Sequence, residues 1–215
     1  TTEIYTLSLH DALPISYLKE YAPQAKLVLA QTYPMSEKDF KAYLSKIKEA
    51  KPDVVFASGY YFQTGPILKQ AREMGITAHF VGEEAADSPK TIEIAGKASE
   101  GLVIVTNLNR DDKRPVVQNY LQQYRSKFKL EPDMVGASGY DAFMILVDAM
   151  KSAKSLDRKA IRDAVAKNSN NNGLTGIIKG FDKVGEVIKP VQVQIVRNGK
   201  FRYFGVVDDP KLVTP

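Results

Sequence analysis

Asp53-Val54-Val55-Phe56-Ala57-Ser58-Gly59-Tyr60-Tyr61 decides the reading of the fold. Its first five residues suit a buried strand, and Ser58-Gly59 marks the turn that follows. A helix is expected next, through Ile67, Leu68, Ala71 and Met74, stopping at Gly75. A second strand, Ala78-His79-Phe80-Val81, ends in Gly82-Glu83-Glu84. A strand–helix–strand unit is right-handed and parallel, so both carboxyl ends open onto one edge of the sheet, where open α/β folds hold ligands. Neighbouring strands lie about 4.8 Å apart. The tyrosine pair and the acid pair can therefore face one small molecule. An aromatic face beside a carboxylate suits a cationic amine, through cation–π attraction and a charge-assisted hydrogen bond.

The same alternation extends on both sides. A strand is expected at Lys26 to Ala30, then a helix from Glu37 with Phe40, Leu44 and Ile47 on one face, ended by Pro52. After Glu84, Asp87-Ser88-Pro89 starts a short helix that stops at Gly96, and Gly101 to Thr106 forms the next strand. Strands alternating with helices mark a parallel α/β sheet. Asn107 to Arg114 reads as a crossover, after which helices dominate: Pro115 to Phe128, Met134 to Ala153, and one N-capped by Asp157. The second of these is apolar almost all round, the pattern of a helix sandwiched between layers. Asn168 to Gly173 reads as a loop, and Asn198-Gly199 between apolar runs signals a hairpin. Residues Thr1 to Ser16 show no clear helical or strand period and lack the layout of a signal peptide.

Composition narrows the function. The 215 residues are 44% hydrophobic and 26% charged, ordinary for a globular chain, and no apolar run approaches a membrane span. The net charge is +5, yet the lysines are interleaved with acids, as in Lys46-Ile47-Lys48-Glu49. That pattern makes a solvated helix face, and no DNA- or RNA-binding signature accompanies it. Cysteine is absent and there are two histidines, so disulfides, thiolate metal sites and a cysteine nucleophile are excluded and a zinc site is not expected. His79 sits within an apolar strand and reads as packed or edge histidine. No Gly-x-Gly-x-x-Gly or phosphate loop follows a strand, and no cofactor is implied. Glu83 and Glu84 are adjacent, so on a regular strand they point to opposite faces and make a poor acid/base pair.

Taken alone, Tyr60 and Tyr61 also read as aromatics packing under a loop, and the two acids as a solvated turn. A family resemblance adds a third line. From about Tyr17 to Val207 the chain resembles the solute-binding proteins of branched-chain amino acid ABC transporters, the leucine/isoleucine/valine-binding kind of type I periplasmic binding protein. The residues that carry it are Glu37-Lys38-Asp39-Phe40, Pro52-Asp53-Val54-Val55, Ser58-Gly59-Tyr60-Tyr61 and Lys69-Gln70-Ala71-Arg72. Asp87-Ser88-Pro89, Ile94-Ala95-Gly96, Glu100-Gly101 and Gly139-Tyr140-Asp141-Ala142 follow in order.

The resemblance implies two Rossmann-like α/β lobes with parallel sheets flanked by helices, the first lobe incomplete. Residues 17–106 would form most of lobe 2, residues 107–189 the helical part of lobe 1, and residues 190–215 a return to lobe 2 with a hairpin. It implies that Tyr60 contacts the ligand and that Glu84, rather than Glu83, binds its α-ammonium. Ser58, Gly59 and Tyr61 would flank them. Val135 matches a pocket wall that is aromatic in some members, and Ala86 replaces a tryptophan found in others. Lobe 1 would begin with the signal peptide and the groups that hold the ligand carboxylate, and that start is missing here. Residues 1–16 stand where the family often has another ligand-contacting tyrosine. They read as a non-native segment, carried over from an adapter at the end of a metagenomic assembly, and are set aside from the fold.

The function implied is capture of an aliphatic amino acid or amide by hinge closure, with no catalysis, followed by docking on a membrane ABC permease. The intact protein would be a monomer in the periplasm or tethered to the outer face of the cytoplasmic membrane. A ligand sensor on the same fold, belonging to a regulator or receptor, is the alternative; a signal peptide upstream favours transport and a helix-turn-helix favours regulation. An α/β enzyme with a carboxylate base at Glu83 or Glu84 is a third reading, which substrate turnover would distinguish.

Overall fold

A computed structural model describes residues 2–8, 18 and 20–213. The chain divides into two compact units, one of residues 1–105 with 195–201, the other of residues 106–194 with 202–215. It therefore passes from one unit to the other three times.

The first unit is built on parallel strands: β1 (Glu3–Ser8), β2 (Lys26–Thr32), β3 (Val54–Ser58), β4 (His79–Gly82) and β5 (Val103–Thr106). They lie side by side in the order β2, β1, β3, β4, β5, every neighbouring pair parallel. Helices α1 (Lys41–Ala50), α2 (Tyr61–Glu73) and α3 (Pro89–Ala95) connect them. Leu44, Ile47, Val55, Ala57, Ile67, Leu68, Phe80 and Ile104 are fully or almost fully buried in one core. α2 and α3 pack so closely at Gly65 that a Cβ there would come within 2.8 Å of Ile94.

Several family motifs have structural work here. Gln70 accepts from the Phe40 amide at 2.7 Å and donates to Lys38 O at 2.9 Å, stapling α2 to the start of α1. Arg72 donates to Ile76 O and Ala78 O and lies over the Phe80 ring, with burial lowering its pKa. Ser88 caps α3 by accepting from the Lys90 amide, with Pro89 in its first turn.

The exclusion of residues 1–16 from the fold does not hold at Glu3–Ser8. These residues form an interior strand between β2 and β3. Tyr5, Thr6 and Leu7 are all fully buried. A parallel strand covered on both faces need not alternate polar with apolar, which is why no strand period is visible there. The Thr6 hydroxyl has no hydrogen-bond partner in that seat. Leu9 to Tyr17, including His10, lie outside the described residues.

The second unit holds α4 (Pro115–Phe128), α5 (Met134–Ala153) and α6 (Arg158–Ala166), with a core of Leu108, Val117, Leu121, Ala137 and Leu174. Its strands are short: β6 (Asn171–Gly173) pairs antiparallel with β7 (Gly176–Ile178), and β8 (Gly180–Phe181) with β9 (Val187–Ile188). The loop expected over Asn168 to Gly173 thus gives way to a strand at Asn171. Asp141, buried within α5, organises the turn beyond it, accepting from the Leu174 amide at 2.7 Å, the Thr175 amide at 2.9 Å and the Thr175 hydroxyl at 2.8 Å.

The hairpin appears at Asn198-Gly199, between β10 (Val191–Arg197) and β11 (Lys200–Val207), with both turn residues at positive φ. Glu100 fastens it by accepting from the Asn198 and Gly199 amides at 3.0 and 2.6 Å. The tail departs from a single return over residues 190–215. Only Ile195–Phe201 joins the first unit, while Arg202–Pro215 belongs to the second. The reason is local: Asp111 receives the Arg202 guanidinium at 2.9 Å and the Tyr203 amide at 2.8 Å. A last short helix, α7, spans Pro210–Val213.

Candidate ligand-binding site

The pairing of β3 with β4 ends at Ala57 opposite Gly82, so Ser58 and Glu83 follow side by side. Their side chains meet: Ser58 Oγ donates to Glu83 Oε1 at 2.6 Å. Ser58 O in turn accepts from the buried Tyr33 hydroxyl at 2.6 Å. Burial, and then the negative charge of Glu83, push the Tyr33 phenol well above its ordinary pKa, so it remains a donor. Gly59 follows with its Cα against that phenol; an added Cβ would fall 2.1 Å from the Tyr33 oxygen. Gln63 accepts from the Tyr60 amide at 3.1 Å and donates to Met35 O at 3.0 Å. Thr64 donates to Gly59 O at 3.1 Å. The backbone of Ser58-Gly59-Tyr60 is therefore held on every side.

What that frame presents is aromatic. Tyr60 is the N-cap of α2 and Tyr61 its first residue. The two residues are 44% and 39% exposed. Phe62, which sequence reading passed over, joins them. Its ring stacks on Tyr60 at 5.5 Å with 3° between planes and meets Tyr61 edge-on at 5.3 Å. Three consecutive aromatics at a helix start were the available signal.

On the neighbouring strand the two acids diverge. Glu83 stays extended and is taken up by Ser58, while Glu84 opens a single 3-10 turn, Glu84–Ala86, and is exposed. Thr91 donates to Ala86 O at 2.7 Å and Asp87 is buried, which anchors the turn from below. Ser58, Gly59, Tyr60, Tyr61, Glu83 and Glu84 thus all lie at the carboxyl ends of β3 and β4. Val135 is the second residue of α5, which belongs to the other unit, and is 66% exposed. His79 is exposed at the opposite, amino end of β4. Among the described residues no group of three or more acids or histidines could hold a metal ion. No helix among them is long and apolar enough to cross a membrane.

A fixed backbone that offers aromatic planes at the same sheet edge as an exposed carboxylate has the chemistry to hold an apolar amine. The profile of the family described as periplasmic binding protein matches residues 11–200. The chain belongs to the periplasmic binding protein family.

Within that family it is similar to the leucine-, isoleucine-, valine-, threonine-, and alanine-binding protein of Pseudomonas aeruginosa, at 28% identity over 70% of this chain and 40% of the relative. It is 29% identical to the leucine-specific-binding protein of Salmonella typhimurium, over 76% of this chain and 43% of that one. The crystal structure of a leucine binding protein from Thermotoga maritima superposes with a TM-score of 0.87 at 31% identity, over 98% of this chain and 61% of that chain. The chain thus spans less than half the length of the curated relatives it matches. A Streptococcus pneumoniae branched-chain amino acid transporter substrate binding protein in complex with isoleucine shares the fold, with a TM-score of 0.85 at 24% identity. The type I periplasmic binding fold, α/β with parallel strands and flanking helices, is thereby established.

Proposed function

We propose that this chain is part of the substrate-binding component of an ABC importer for branched-chain or related amino acids. The observation that carries the reading is the juxtaposition of Tyr60 and Glu84 at the carboxyl ends of adjacent parallel strands. Glu84 pairs with the ligand's α-ammonium, and the exposed Tyr60 ring covers its aliphatic part. Ser58 and Gly59 set the turn, and Tyr61 and Val135 are flanking contacts. The relatives named for leucine, isoleucine and valine support this class of ligand.

The chemistry is binding alone. Closure of two lobes about a hinge buries the ligand, a motion general to periplasmic binding proteins, and the closed form docks on a membrane permease outside the cytoplasm. The intact binding protein acts as a monomer. Groups that hold the ligand carboxylate lie in the part of the family fold that this chain does not span. Its affinity for leucine or valine is therefore weak. Isothermal titration calorimetry on this chain is expected to show no micromolar binding, and micromolar binding would overturn the placement of the carboxylate contacts elsewhere.

A further inference from the structure

Residues two apart on a helix point to different faces, so their rings do not ordinarily meet. Tyr60 and Phe62 nevertheless stack, with ring centroids 5.5 Å apart and 3° between planes. The backbone explains it. Tyr60 is the N-cap of α2 and is extended, at φ −71° and ψ 164°, whereas Phe62 lies inside the first turn. Gln63 and Thr64, both fully buried, fix that turn through the Tyr60 amide, Met35 O and Gly59 O. Tyr61 meets Phe62 edge-on at 5.3 Å, which makes Phe62 the middle ring of three. Phe62 is 44% exposed and has no place in the buried core. Its ring partners are the two tyrosines.

We propose that Phe62 is a positioning residue for the ligand site: it backs the Tyr60 ring and so fixes the plane that covers the ligand's aliphatic part. The inference rests on the reading of Tyr60 and Glu84 as the amine site. The hydrogen bonds around Ser58-Gly59-Tyr60 hold the Tyr60 backbone, and its ring needs a restraint of its own. A half-exposed tyrosine otherwise exchanges among staggered wells. Among the described residues the stack on Phe62 is the one ring contact that Tyr60 makes. Offset stacking is a preferred aromatic geometry, so Phe62 selects one well for Tyr60, and Tyr61 in turn holds Phe62 from its edge. A ligand then meets a ring already in place, and less freedom is lost on binding. The benefit grows with the ligand's side chain, because Tyr60 covers aliphatic carbons. Phe62 thereby favours leucine over alanine, whereas Glu84 takes the ammonium common to both and does not distinguish them.

Two measurements test this. In this chain, proton NMR of the Tyr60 ring, assigned by its loss in Tyr60→Leu, is expected to show upfield ring-current shifts. They should vanish in Phe62→Leu, which keeps an apolar side chain without a plane, and persist in Phe62→Tyr. In the protein extended to the length of its relatives, calorimetry compares leucine with alanine. Phe62→Leu is expected to bind leucine about tenfold more weakly and alanine within about twofold of the parent, at an unchanged melting temperature. Phe62→Tyr should restore the leucine affinity. Absence of the ring-current shifts would overturn the proposal. So would an unchanged leucine-to-alanine ratio in Phe62→Leu, or equal weakening of both ligands, even where Glu84→Ala weakens both. If Glu84→Ala weakens neither, the amine-site reading itself fails and the role of Phe62 falls with it.

Discussion

At the scale of single residues, Tyr33, Ser58, Gly59 and Glu83 behave as one device. The phenol donates to Ser58 O, the serine hydroxyl donates to Glu83, and Gly59 leaves room for the phenol. Gly59→Ala forces a Cβ to 2.1 Å from the Tyr33 oxygen and is expected to cost about 1–3 kcal/mol. Tyr33→Phe removes one buried hydrogen bond at about 1 kcal/mol. Because it also removes the clashing atom, the double variant should be less destabilised than the sum of the two, measured by urea denaturation. Additive losses would show that the two residues do not share this contact.

Tyrosine burial also sets an alkaline limit. Burial raises the pKa of Tyr5 and Tyr33, and that of Tyr120 is raised to about 12, by burial first and then by Tyr124, Asp133 and Asp141. Unfolded tyrosines lose their protons near pH 10, at about their ordinary value. Above that pH the folded state keeps protons that the unfolded state has released, so stability is fully present below about pH 10 and falls as the pH rises towards the folded values. The melting temperature should drop from pH 10 upward, with late tyrosinate absorbance appearing together with unfolding. A flat melting temperature across that range would contradict the burial of these phenols.

At the scale of elements, Asp141 holds the second unit together across more than thirty residues of chain. Its carboxylate takes three hydrogen bonds from Leu174 and Thr175, and a Cβ on Gly173 would press to 2.7 Å from it. Asp141→Ala leaves two buried amides unpaired and should cost about 2–4 kcal/mol, read as a lowered urea midpoint. A change below about 0.5 kcal/mol, the range of ordinary surface substitutions, would remove Asp141 from that role.

The elements also show where sequence reading succeeds and where it stops. The strand–helix–strand unit from Asp53 to Glu84 was legible because a short apolar run, a helical period and Gly75 at positive φ all agree. The hairpin was legible because Asn198-Gly199 needs no distant partner. Glu3–Ser8 was not, since a strand buried on both faces carries no alternation. β6 was not, because Asn171-Asn172-Gly173 has no strand propensity and is placed by the turn that Asp141 holds. In the site, the aromatic pair and the acid pair were visible as residue types at strand ends. The bonds of Tyr33 to Ser58 and of Ser58 to Glu83 each span 25 residues and leave no local pattern.

At the scale of the whole molecule, the chain is a member of a ligand-binding family that spans under half the length of its curated relatives. Its first unit carries the strand ends where Tyr60 and Glu84 come to one edge, the amine site proposed above. The decisive measurement is calorimetric titration of leucine into the protein extended to the length of its relatives, with and without Glu84→Ala. The variant is expected to bind about a hundredfold more weakly, a loss of about 2.8 kcal/mol, because the ammonium loses its charged partner. Leucine binding undiminished by Glu84→Ala would contradict it.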